Sequence, residues 1–143
     1  MSVASSPSKR LWQIIPAVLG IALPLPRAAQ AETGQLHREP LGTYAVPDKK
    51  VIRVEVQRLT FPPGFAVGRH DHPGPVIVYV TEGQVLVQIE GEPARTYDAG
   101  QSLIEPAGVI IARFDNASST APASFVATYL LGEEDKVLIR SRP

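Results

Sequence analysis

The run Pro62-Pro63-Gly64-Phe65-Ala66-Val67-Gly68-Arg69-His70-Asp71-His72 holds two of the chain's three histidines, one residue apart. On an extended strand side chains alternate between faces, so His70 and His72 point the same way with their imidazoles close enough to share one ion. Asp71, between them, is expected to face the opposite side. The Pro-Pro-Gly turn signal ahead of the pair ends one strand and leads into the next.

Outward from this run the periodicity is two. Residues 51–59 (VIRVEVQRL) alternate branched apolar residues with charges, as a half-buried strand does. Residues 76–80 are a continuous apolar run, Glu82-Gly83 is a turn signal, and residues 84–90 alternate again. Further strands are expected over 94–97, 102–105, 109–114 and 124–131, with a short segment at 136–140. Strands broken by Gly and Pro every eight to twelve residues predict an all-β, antiparallel sandwich or barrel. From residue 32 onward no sustained helical period appears.

The first 31 residues read as an export signal. Lys9 and Arg10 precede an apolar stretch, Leu11 to Pro26, too short and proline-broken for a comfortable membrane span. Ala29-Gln30-Ala31 then supplies a small-x-small cleavage pattern, placing cleavage after Ala31 and the mature chain in the periplasm or outside the cell. The expected organisation is a signal peptide (1–31), an extended lead-in (32–50) and a β-barrel domain (51–143), with no stable membrane insertion after cleavage. Removing Lys9, Arg10 and Arg27 leaves 11 basic residues against 14 acidic ones, a net charge near −3. With no basic stripe, nucleic acid is not an expected partner. Cysteine is absent, so the hydrophobic core must hold the fold alone. Asn116-Ala117-Ser118 matches a glycosylation sequon, but Asn116 reads better as a turn residue.

At this point the residues resemble the cupin superfamily, small β-barrels of jelly-roll type built on two motifs. Gly64, His70, His72 and Gly83 fall on the family's G-x5-H-x-H-x3,4-E-x6-G; Gly100, Pro106, Gly108 and Asn116 fall on G-x5-P-x-G-x2-H-x3,4-N. The resemblance covers roughly residues 51–131. It implies a single antiparallel barrel, a small-molecule ligand and a homodimer. The family's metal-binding members use three histidines and one glutamate; here Val76 stands at the glutamate position and Ile111 at the third histidine. Two ligands of four are left, His70 and His72.

If half the donors of a four-ligand zinc site supply half its binding energy, about 5–8 kcal/mol, the dissociation constant falls between roughly 100 μM and 1 μM. A weakly held divalent ion (Fe, Mn, Ni or Zn) is the expected cofactor, if any, unless another residue joins. Glu105, at a strand end before Pro106, is one candidate, although alternation does not fix its direction; His37 in the lead-in is another. Val76, Val78, Ile111, Arg113 and Glu105 are the expected pocket residues. Arg113 lies two places after Ile111 and so shares its inward face if the strand is regular; the competing reading pairs it with Asp115 or Glu105. The first functional expectation is an exported cupin binding a small organic ligand, with a degenerate metal site. The alternative is a metal-dependent enzyme, dioxygenase- or isomerase-like, on His70 and His72. A purely structural dimer comes third.

Overall fold

The computed structural model describes residues 36–46 and 50–143. The expected export signal lies outside the described residues. Among the described residues there is no helix, and hence none long and apolar enough to cross a membrane.

Among the described residues nine strands follow one another: β1 (Arg53–Phe61), β2 (His70–Asp71), β3 (Val76–Glu82), β4 (Gln84–Ile89), β5 (Arg95–Asp98), β6 (Ser102–Glu105), β7 (Ile111–Asn116), β8 (Ala123–Leu131) and β9 (Arg140–Ser141). They form two antiparallel sheets, in the orders β1-β8-β3-β6 and β5-β4-β7-β2-β9. The all-β antiparallel architecture read from the period-two pattern is the one observed. Residues 37–143 make one compact unit. The lead-in residues 37–46 have no regular structure and dock on β6, where the Ser102 hydroxyl donates to the Leu41 carbonyl and lies 2.6 Å from the Tyr44 hydroxyl.

The core lies between the sheets. Val76, Val78 and Val80 from β3 meet Phe125, Ala127 and Tyr129 from β8, with Val85, Val87, Ile111 and Phe114 from the second sheet. Phe61 packs its ring 4.8–5.8 Å from those of Phe65, Phe114 and Phe125. The amide of Asn116, buried at the end of β7, donates to the carbonyls of Phe61, Pro62 and Ala121 and accepts from the Ser118 backbone N–H. It is a structural clamp on the turn, as its turn reading suggests.

Two local patterns depart from expectation. In β1 the alternation is inverted: Val54 and Val56 are 53% and 64% exposed, while Glu55 is half-buried and Leu59 and Phe61 face inward. The strand's inward phase is set by Phe61 and its aromatic partners, so the valines an even number of residues from Thr60 turn outward. The expected segment 136–140 is not a strand as such. The last strand is the pair Arg140–Ser141, held beside β2 by ion pairs to Asp71.

Candidate metal centre and cavity

His70 and His72 flank Asp71 across the two-residue strand β2. Both rings are buried, and their centroids are 5.0 Å apart. The Nδ1 of His70 lies 2.8 Å from the Gly68 carbonyl, and the Nδ1 of His72 lies 2.7 Å from the Leu138 carbonyl. A carbonyl only accepts, so each Nδ1 carries the proton and, in the neutral ring, each Nε2 presents its lone pair. Backbone acceptors of this kind fix the tautomer and orientation that a metal-ligating imidazole needs.

Both Nε2 atoms point at one carboxylate. Glu105 Oε1 is 3.6 Å from His70 Nε2 and Oε2 is 3.4 Å from His72 Nε2, with all three side chains no more than 5% exposed. Alternation along the chain left the direction of Glu105 open; the register of the sheet decides it. Glu55, Tyr129, Val76 and Glu105 form one row across β1, β8, β3 and β6, and directly opposed residues share a face. The carboxylate missing at position 76 therefore returns from the neighbouring strand.

Burial opposes the charge of Glu105, but the adjoining imidazoles of His70 and His72 outweigh that and hold its carboxyl below the ordinary range. Burial likewise opposes charge on His70, and Glu105, the Gly68 carbonyl and Asp71 together raise its pKa above the usual value.

Without an ion the arrangement is under-bonded. His72 Nε2 and Glu105 Oε1 are buried with no hydrogen-bond partner. Two donors each about 2.1 Å from a shared ion at tetrahedral angles stand about 3.4 Å apart, and the observed separations are 3.4 and 3.6 Å. The three ligand atoms lie within 4.8 Å of one another. The donor set, two histidines and one carboxylate, is of the kind that could hold a divalent transition metal after a small inward shift, and it leaves coordination positions open.

Asp71 faces away from this group, as alternation predicts. Its fully buried carboxylate pairs with both Arg140, through Nε at 3.0 Å and through Nη2, and Arg142, through Nε at 2.5 Å. Hydrogen bonding to Arg142 leads in holding its pKa below the ordinary value, burial opposes it, and Arg140 adds to the lowering. These ion pairs lash the final segment over the site, so that the Leu138 carbonyl reaches His72.

A cavity of about 310 Å3 opens from the three ligands. Its polar wall comprises Gln57, His70, His72, Glu105 and Tyr129; the rest is apolar, with Phe61, Phe65, Phe114 and Phe125 at its aromatic end. The Tyr129 ring is 5.8 Å from that of His72. Burial, with the charges of Glu105 and Glu55, pushes its phenol above the ordinary value, so it stays protonated at neutral pH.

Of the expected pocket residues, Glu105 lines this cavity. Val76, Val78 and Ile111 are buried in the apolar core instead; Val78 opposes Leu103 and Ala127, and Ile111 opposes His70. Arg113 is directed away from it. A bulge in the β4–β7 pairing sets Gln88 opposite Arg113 and Ile89 opposite Ile111, so the intervening Ala112 is unpaired and the strand reverses its phase. Arg113 consequently pairs with Asp115, its side chain half exposed. His37 is exposed and is not among the clustered ligands. Tyr129, Gln57 and Leu138 were not singled out from sequence. The alternation Phe125, Ala127, Tyr129 along β8 was the available signal for the first.

Residues 57–129 match the family model described as "Cupin domain". Among solved structures, a cupin-like protein from Thermotoga maritima is 24% identical with a TM-score of 0.54, covering 62% of this chain and 64% of that one. A DMSP lyase from Ruegeria pomeroyi is 18% identical with a TM-score of 0.53, covering 62% and 42%. An oxalate oxidase solved with the substrate analogue glycolate is 26% identical with a TM-score of 0.51, covering 61% and 45%. The chain thus spans less than two thirds of the length of each of these relatives. No curated protein matches it in sequence.

Proposed function

The chain belongs to the cupin family, and on that footing we propose that it is an exported small-molecule cupin holding a divalent transition metal on His70, His72 and Glu105, with its ligand in the adjoining cavity. The observation that carries this reading is the convergence of both Nε2 atoms on a buried carboxylate, with His72 Nε2 and Glu105 Oε1 lacking any other partner. The metal, when bound, supplies Lewis acidity and open coordination positions. The protein's residues do the rest: Gly68 and Leu138 orient the imidazoles, the apolar walls line the approach to the ligands, and Tyr129 keeps a proton beside the site. This combination favours the metal-dependent reading over a degenerate, metal-free pocket.

Three donors of four scale to about 7–12 kcal/mol of binding energy, or a dissociation constant between roughly 7 μM and 2 nM. Protein purified without chelator or affinity tag is expected to carry close to one equivalent of Fe, Mn, Ni or Zn by elemental analysis. Less than about a tenth of an equivalent, unchanged by His70→Ala combined with His72→Ala, would refute the reading.

Export and homodimerisation belong to the same proposal. Support for export comes from the Ala29-Gln30-Ala31 cleavage pattern. Support for the dimer comes from β1, an edge strand that shows Val54 and Val56 to solvent, with Ile52 exposed just before it. Expressed with its leader, the protein is expected to be recovered as residues 32–143, with the mass of two copies in light scattering. Val56→Glu is expected to yield monomers, and a monomeric wild type at micromolar concentration counts against the dimer.

A further inference from the structure

The polarity of the cavity is graded along one direction. On β8 the inward residues run Tyr129, Ala127, Phe125, a span of four residues or about 13 Å of strand. Tyr129 lies at the row of Glu105, Ala127 opposes Gln57, and Phe125 opposes Leu59. All the ionisable lining groups are thus at one end, with His70 and His72, and the other end is walled by the rings of Phe61, Phe114 and Phe125. Among the described residues, no lysine or arginine lines the cavity. Arg113, the one cation the sequence placed there, is turned out by the bulge at Ala112.

We infer that the cavity takes a monoaromatic or similarly apolar molecule with a single metal-ligating head, such as an aryl carboxylate, and rejects molecules with a second charge on the body. This inference rests on the metal reading above for the head and on the cavity alone for the body. A cavity near 150 Å3 accommodates benzene; the 310 Å3 here corresponds to about a dozen heavy atoms on the same scale. A second carboxylate would enter the aromatic end without a cationic partner and keep the full cost of its lost hydration. Dicarboxylates whose second charge sits at the far end of the body therefore do not match this wall.

The test uses the full-length protein loaded with Co2+, whose visible spectrum reports the head. Phenylacetate is expected to bind about 30- to 100-fold tighter than acetate through ring burial. 4-Carboxyphenylacetate, with the same head and a charged far end, is expected to bind at least about 30-fold more weakly than phenylacetate. Ala127→Met, which fills the middle of the cavity, is expected to cut the advantage of phenylacetate over acetate to about threefold or less. Equal affinity for acetate and phenylacetate, no discrimination against the dicarboxylate, or an undiminished advantage in Ala127→Met would each overturn the inference. If Co2+ does not bind, the metal reading fails by itself, and the body is tested on metal-free protein with benzyl alcohol. A rise in melting temperature that Ala127→Met abolishes is then expected, and no rise overturns it.

Discussion

Glu105→Gln is expected to weaken divalent metal binding by about three orders of magnitude while leaving the protein folded. The glutamate is the only anionic ligand in the group. Removing a unit charge 4 Å from another at an effective dielectric near 20 forfeits about 4 kcal/mol, close to a thousandfold in affinity. The amide keeps the shape of the carboxylate and can donate to an imidazole lone pair, so the buried cluster keeps hydrogen bonding. Calorimetric titration of wild type and variant with Zn2+ measures the difference, and a circular dichroism melt confirms the fold. A folded Glu105→Gln protein with wild-type affinity would show that the carboxylate is not a ligand.

Asp71→Asn is expected to act on the same site from the opposite side of β2. The buried carboxylate holds Arg140 and Arg142, and through them the segment whose Leu138 carbonyl orients His72. Both guanidinium groups are about 40% exposed, which discounts each ion pair, yet hydrogen bonds between charged groups on a buried acceptor still matter. A loss of about 2 kcal/mol is expected, read as a fall of roughly 10 °C in melting temperature. Metal affinity, measured well below that temperature, is expected to drop about 10- to 100-fold, the usual consequence of releasing a ligand's outer partner. A variant that melts lower but binds metal as tightly as wild type would mean that the segment stabilises the barrel without orienting His72.

The parts of this molecule legible in its sequence are those governed by short-range rules. The His70–His72 pairing and the outward direction of Asp71 follow from alternation on a single strand. The division into short strands follows from Gly and Pro punctuation, and the glycines and Pro106 at family spacing carry the resemblance. What the sequence left open depends on which residues stand opposite one another. Glu105 was recognisable as a candidate, but its approach to the histidines comes from the register that sets it against Val76. Arg113 was expected inward on the premise of a regular strand, and one unpaired residue, Ala112, reverses it. In β1 the valines looked like core; the aromatic cluster around Phe61 fixes the phase and turns them out. The cavity walls were hidden for a related reason, because Phe114, Phe125 and Tyr129 read as ordinary packing residues until both sheets are assembled.

The carbonyls that hold the two imidazoles come from Gly68, two residues from His70, and from Leu138, sixty-six residues beyond His72. One ring is therefore set by a local turn and the other only when the segment leading into β9 is docked, a contact of high sequence separation. A chain with its final segment undocked would present His70 correctly and leave His72 free to rotate. A metal held as proposed would favour the docked arrangement, so its binding energy would be shared with that docking and the ion would act as a latch on the segment. Amide exchange in residues 136–142 should accordingly slow when the site is loaded, making the protection of this segment a gauge of occupancy far from the ligands in sequence.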